Sequence, residues 1–206
     1  MAAFQNPIII ISGPAGVGKT TIAKALQQKH PEIEASVTYT TRPERLTAPE
    51  DKKIYYTNDQ EFEQMIKQGE FLEWAKVHGK YYGTHREKTL EKLKTNPVIF
   101  NIDVQGAKQI FKEMKGEKII SIFLLPESIE QIKNHIIKRG HSEPDDLQRR
   151  LESAQKEISE QDLYTYKVIN SEGKVNQAIE RVEEIIKPYF AQKTSIFSKI
   201  SAFFRN

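Results

Sequence analysis

The sequence contains no cysteine. That excludes disulfides and thiolate metal sites, and it fits a reducing cytosol. Long apolar runs are missing as well. Near the N-terminus the longest is Ile8 to Ile11, too short for a signal peptide or a membrane span. Neither sign of charge dominates: 31 Lys and Arg stand against 28 Asp and Glu, a net charge of +3. So mixed a surface gives no ground for expecting nucleic acid as a partner. Internal repeats and low-complexity linkers are lacking. His30, His78, His85, His135 and His141 show no metal-ligand spacing, and without Cys or an HExxH motif there is no zinc signature. What remains is 206 residues, enough for one core with small inserts. A chain of this size can bury roughly 70% of its unfolded surface without covalent staples.

The order of elements carries more. Pro7 to Ser12 reads as a fully buried strand. A glycine-rich turn follows, and then Lys19 to Lys29 places Ile22, Ala23, Ala25 and Leu26 at helical spacing. Further strands are expected at Val98 to Ile102, Lys118 to Leu125 and Tyr166 to Ile169. Between them lie helical patterns through Ala107, Ile110, Phe111 and Met114, through Ile129, Ile132 and Ile136, and through Leu147, Leu151, Ala154 and Ile158. A last one runs through Val175, Ala178, Ile179, Val182 and Ile186. Apolar strands alternating with amphipathic helices predict an α/β fold with a central parallel sheet covered by helices. The reading is one domain over 1–206, with its core at about 5–35, 97–126 and 163–190. Residues 36–90, richer in Thr, Tyr and charge, form an insert. Residues 127–162, mostly charged helix, resemble a flap more than a core layer.

The first chemical motif is GPAGVGKT, Gly13 to Thr20. It fits G-x-x-x-x-G-K-[ST] and lies after a strand and before a helix, where the mechanism needs it. Backbone N–H groups of such a loop cradle phosphate, and the helix dipole adds partial positive charge. Lys19 is expected to reach the β and γ phosphates and Thr20 to ligate Mg²⁺. The second is VIFNIDVQGA, Val98 to Ala107: an apolar strand running into Asp103, the place where loop-bearing nucleotide enzymes present an acid near the metal.

GPAGVGKTT, TTRPER, EFLEWAKVHGKYYGT, NIDVQGA, KRG, RRLESAQKE and KVIN occur in this order over about residues 8–188. Together they resemble guanylate kinase, the P-loop nucleoside monophosphate kinase family that phosphorylates GMP with ATP. The resemblance implies a core that holds ATP, an insert that holds GMP and a helical lid over both. It implies ATP contacts from Gly13, Pro14, Ala15, Gly16, Val17, Gly18, Lys19, Thr20 and Thr21, with Asn170 of KVIN near the adenine. It implies that Arg42 and Arg45 grip the acceptor phosphate. An arginine's planar fork suits two-point contact with phosphate. Tyr82 matches a tyrosine on the same phosphate. Glu73 matches the base-reading carboxylate, Thr38 and Thr84 match hydroxyls near the base, and Asp103 serves either that pocket or a water on the metal. Arg139 and Arg150 match lid arginines on the transferring phosphoryl group, with Arg149 the adjacent alternative. The cofactor implied is Mg²⁺, as MgATP. The partners implied are the small-molecule substrates ATP and GMP, and acceptance of dGMP follows.

Departures from the family pattern stand beside the matches. Ile54 falls where the family carries a tyrosine on the GMP phosphate, and Tyr55 next to it would face the other way in a strand. Weaker acceptor binding is expected from this. His135 replaces a lid arginine, and Asn101 replaces an acid two residues before Asp103. Trp74 is assigned to the core. In the tail, 191–206, Ile196, Phe197, Ile200, Phe203 and Phe204 make one apolar helical face. Docking on its own core or on a sister subunit is expected, not stable membrane insertion. A cytoplasmic monomer or homodimer completes the reading. Two alternatives are a different small-molecule kinase, such as a ribose 1,5-bisphosphokinase, and a non-catalytic protein-binding module.

Overall fold

Four consecutive isoleucines open the core strand. In the computed structural model, which describes residues 4–44, 54–138, 140 and 143–203 and side chains as far as 190, β1 (Ile8–Ser12) is buried along its whole length. Its side chains alternate between two layers. Ile9 and Ile11 join one apolar cluster, Ile8 and Ile10 the other. A strand's side-chain period of two puts successive residues on opposite faces, so a strand covered on both sides must be apolar throughout.

The main sheet runs in the order β2 (Glu34–Ala35), β7 (Val98–Asn101), β1, β8 (Ile119–Pro126), β9 (Tyr166–Asn170), all parallel. On one face Ile9 and Ile11 pack with Ile22 and Leu26 of α1 (Lys19–Lys29) and Ile179 and Val182 of α7 (Val175–Phe203). On the other, Ile8 and Ile10 pack with Leu93 of α3 (Arg86–Thr95) and Ala107 and Ile110 of α4 (Val104–Glu113). The expected parallel sheet between helical layers is what forms, and β1, α1, β7, β8 and β9 fall within a residue of their predicted limits.

The insert builds a sheet of its own. β3 (Thr38–Thr40), β4 (Tyr55–Tyr56), β5 (Phe71–Val77) and β6 (Lys80–His85) are arranged β4-β3-β6-β5. The β3–β4 pair is parallel, the others antiparallel. Helix α2 (Asp59–Lys67) is capped by Asn58, whose side chain accepts from the Glu61 N–H at 2.8 Å. That satisfies one of the amides a helix start leaves unpaired. Its Phe62 stacks on Phe71 and Tyr81, on the face turned away from the cleft.

The charged segment after β8 folds as α5 (Ile129–Lys138) and α6 (Pro144–Ser159). It was expected as a flap, yet Ile132, Ile136 and Ala154 sit in the same apolar cluster as β1. Of the tail, backbone alone is described, and α7 continues through it to Phe203. The side chains expected to form its apolar face lie outside the described residues. Among the described residues no helix is long and apolar enough to cross a membrane.

Trp74 is not in the core. It is 37% exposed, because the residue after the cleft-facing Glu73 points to the opposite side of the edge strand. The Gln109 amide of α4 holds its backbone there, accepting from Trp74 N at 3.2 Å and donating to Trp74 O at 2.7 Å.

Candidate active site

The loop Gly13–Gly18 leaves the C-terminal end of β1 and opens α1. Crevices outside the carboxyl ends of parallel strands are the usual ligand sites of such sheets. Two glycines are required by close approach. A Cβ at Gly13 would stand 2.4 Å from Leu124 O, and one at Gly18 would stand 2.5 Å from Asn170 Nδ2; both residues also have positive φ. Val17 anchors the loop by burying its side chain in the core. The Lys19 ammonium donates to the Gly13 carbonyl at 2.5 Å and the Pro14 carbonyl at 3.1 Å. Ala15, Gly16 and Lys19 line a cleft of about 580 Å³. Thr20 and Thr21 follow on the exposed first turn of α1.

Asn170, at the end of β9, is buried and donates from Nδ2 to the Val17 carbonyl at 2.8 Å. Its amide is thus a strut for the loop. At the end of β7, Asn101 donates from Nδ2 to Thr20 Oγ1 at 3.0 Å. Asp103 caps α4, its Oδ1 accepting from Gly106 N at 2.8 Å, and it lines the same cleft.

The opposite wall comes from the second sheet. Thr38 of β3 pairs with Thr84 of β6, which pairs with Glu73 of β5. Directly opposed residues of antiparallel strands share a face, so the three form one row. Tyr82 and Ala75 form the next row on that face. A β-bulge between Phe71 and Glu73 sets the alignment. Without it these two residues, two apart, would share a side. The extra residue sends Phe71 to the aromatic face, while Leu72 enters the core cluster and Glu73 faces the cleft. Re-aiming a side chain beside a site is a common use of a bulge.

Glu73 is buried, and its Oε1 accepts from Thr84 Oγ1 at 2.5 Å. Burial pushes its carboxyl up to about 7. The Thr84 hydrogen bond pulls the other way, and the nearby Asp103 carboxylate adds to the rise. A carboxyl facing the cleft is therefore easier to protonate than an exposed one.

Arg42 lines the cleft, with its guanidinium 5.5 Å from the centre of the Tyr56 ring and NH1 donating to its neighbour Pro43 O at 2.9 Å. Arg150, on α6, also lines the cleft and is steered by Asp146, which accepts from its Nε at 2.8 Å. Arg149 is the solvent-facing neighbour, with its side chain 73% exposed. Arg45 and Arg139 lie outside the described residues. Tyr55 does face away: its ring stacks on Tyr39 at 4.8 Å, on the side of the sheet opposite Thr38. It therefore does not replace the tyrosine missing at Ile54.

Two contributors were not singled out by the sequence. Gly106 provides the bare backbone against which the Glu73 carboxylate rests. Its place inside a helix, where glycine costs stability, was the available hint. Glu157 of α6 is half-buried, and burial lifts its carboxyl above the usual range against the pull of the Lys19 ammonium. One glutamate among several on a charged helix gives no such warning.

Comparison with known proteins agrees with this geometry. A family model described as guanylate kinase matches residues 5–189. The chain is 45% identical over 180 residues to the guanylate kinase of Clostridium tetani, covering 87% of this chain and 84% of that one. It is 40% identical over 183 residues to the guanylate kinase of Caldanaerobacter subterraneus subsp. tengcongensis, covering 88% and 87%. The crystal structure of guanylate kinase from Anaplasma phagocytophilum superposes with a TM-score of 0.69 at 29% identity, over 89% of this chain and 85% of that one.

Proposed function

Given that the chain belongs to the guanylate kinase family, we propose that its cleft holds ATP on the loop Gly13–Thr20 and GMP on the Thr38–Thr84–Glu73 face. The activity is that of an ATP:GMP phosphotransferase, in which the γ-phosphoryl group of ATP passes to a phosphate oxygen of GMP, giving ADP and GDP. Phosphoryl transfer leaves little covalent chemistry to the protein; positioning and charge neutralisation do most of the work. The GMP phosphate is already anionic, so no general base is assigned.

Guanine presents two adjacent donors, N1–H and N2–H₂, and one carboxylate accepts from both. Adenine offers no donor at either place and would leave Glu73 buried and unpaired. Sites built on such hydrogen bonds reject an analogue lacking them by about 10⁴–10⁵. The Thr84 hydroxyl orients the carboxylate, and Thr38 extends the same row. dGMP, which carries the same base and phosphate, is proposed as an acceptor as well. Arg42, Arg45 and Tyr82 are assigned to the GMP phosphate. Lys19, Arg139 and Arg150 are assigned to the transferring group, where an arriving arginine is worth about 10³–10⁵ in rate. Asn170 is assigned to the adenine side through its hold on the loop.

Magnesium fits the donor set. Among the described residues no three His, Cys, Asp or Glu side chains gather as a cage, which suits an ion held chiefly by phosphate oxygens and water. Thr20 would supply a hydroxyl ligand and Asp103 a contact through water. Bound there with ATP, the ion would supply positive charge that offsets the charge of the phosphates. A cytoplasmic monomer or homodimer remains part of the proposal.

The row Thr38–Thr84–Glu73, facing the phosphate loop across one cleft, carries this reading. It also weighs against a ribose-bisphosphate kinase, whose substrate has no donors for a buried carboxylate. The complete loop with Lys19 and Thr20 weighs against a non-catalytic module. The test is Arg42→Ala: KM for GMP rises, roughly tenfold or more for a lost charge-assisted contact, while KM for ATP is unchanged. Equal losses for both nucleotides would refute the assignment.

A further inference from the structure

Two consecutive carbonyls of the phosphate loop are held from outside by side chains. Asn170 Nδ2 donates to Val17 O at 2.8 Å, and His135 Nδ1 lies 2.8 Å from Gly16 O. In a trans peptide the C=O of one residue and the N–H of the next point in opposite directions. Fixing the Gly16 and Val17 carbonyls therefore fixes where the Val17 and Gly18 N–H groups aim. The Val17 N–H already points across the loop, 3.3 Å from Pro14 O.

His135 differs from Asn170 in what its second nitrogen meets. Nε2 lies 3.0 Å from Glu172 Oε2, on the turn between β9 and α7. Both partners are acceptors. A neutral imidazole has one N–H and can serve one of them; serving both takes the imidazolium. Among the described residues, three charged groups face or neighbour the ring. Glu172 faces it from the turn. Lys138, on α5 itself, reaches the other Glu172 oxygen at 3.6 Å. From the loop comes Lys19, whose ammonium lies on the Gly13 and Pro14 carbonyls. One turn earlier on α5, Gln131 donates to Asn170 O at 2.8 Å. One face of α5 is thus fastened to both struts of the loop.

We propose that His135 is a positioning residue: it bridges Gly16 and Glu172, ties α5 to the phosphate loop, and holds the Gly16–Val17 peptide in the turn that shapes the loop for the ATP phosphates. This rests on the assignment of the loop to ATP. Removing the ring breaks the bridge and frees the Gly16 peptide to turn. The His135 ring and Glu172 are both partly open to water, so screening keeps the effect moderate.

The experiment is steady-state kinetics of wild type, His135→Phe and Glu172→Gln, with each nucleotide varied in turn. His135→Phe is expected to raise KM for ATP about three- to tenfold and to leave KM for GMP within about twofold. Glu172→Gln, on an exposed turn that tolerates the change, shifts KM for ATP in the same direction by less. Equal changes in both KM values, or no change in KM for ATP, would overturn the proposal. A wild-type rate indifferent to ATP concentration would instead overturn the ATP assignment beneath it.

Discussion

The carboxylate of Glu73 rests on the bare backbone of Gly106. A β-carbon at position 106 would stand 2.4 Å from Glu73 Oε2, closer than any real contact of that kind. The helix that carries Gly106 begins at Asp103, so one element from the core and one strand from the insert meet at the candidate base-reading group.

Gly106→Ala should therefore spare the fold and spoil the site. The obstructed atom is the far end of a side chain, and alanine favours the helix by about 1 kcal/mol over glycine. The carboxylate must move instead, and misplacement by about 1 Å can cost on the order of 10²-fold in rate. The expected outcome is a loss of kcat/KM for GMP on that order, with KM for ATP and the melting temperature little changed. Unaltered kinetics with GMP would show that Glu73 is not held where the structure has it.

The pH dependence of GMP binding has a definite sign. Burial raises the Glu73 carboxyl to about 7, and only the ionised form accepts two guanine donors. KM for GMP should rise as pH falls below about 7, by roughly tenfold per pH unit once protonation dominates. In Glu73→Gln that component disappears, together with much of the preference for GMP over AMP. Stability without nucleotide runs the other way. A folded-state value above the unfolded one means that this group favours the folded state below about 4.5 and withdraws that support as pH rises through about 7. The difference is on the order of 3 kcal/mol. Urea denaturation at pH 5 and 8, wild type against Glu73→Gln, reads it directly.

Lys19→Ala should remove transfer while leaving the fold. Its ammonium is held by loop carbonyls, and the loop's shape also rests on the buried Val17 and on Asn170. Loss of one donor to developing charge typically costs about 10²–10³ in kcat. Near-normal turnover with an intact circular dichroism spectrum would contradict the assignment.

How far the sequence alone could carry this account depends on the range of the interactions. β1 and α1 were legible because an apolar run, a glycine turn and a helical pattern are local signals, and they lie where expected. The strands of the polar stretch were not legible one by one, since they are short and mixed in composition. The bulge before Glu73 shifts the register by one residue, and no residue type announces it. Trp74 was misplaced because large aromatics are mostly buried on average, whereas its place on an edge strand was settled by the direction of Glu73. The bonds of His135 to Gly16 and of Asn170 to Val17 join residues more than a hundred positions apart. Such pairings arise from the sheet order and have no local trace.

The central claim is that one cleft reads guanine with Glu73 and passes phosphate to it from ATP. A coupled assay of ADP release with GMP, dGMP, AMP, UMP and ribose 1,5-bisphosphate as acceptors tests it most directly. The account predicts turnover with GMP and dGMP, and rates with AMP and UMP lower by several orders of magnitude. Turnover with another acceptor but none with GMP would contradict it.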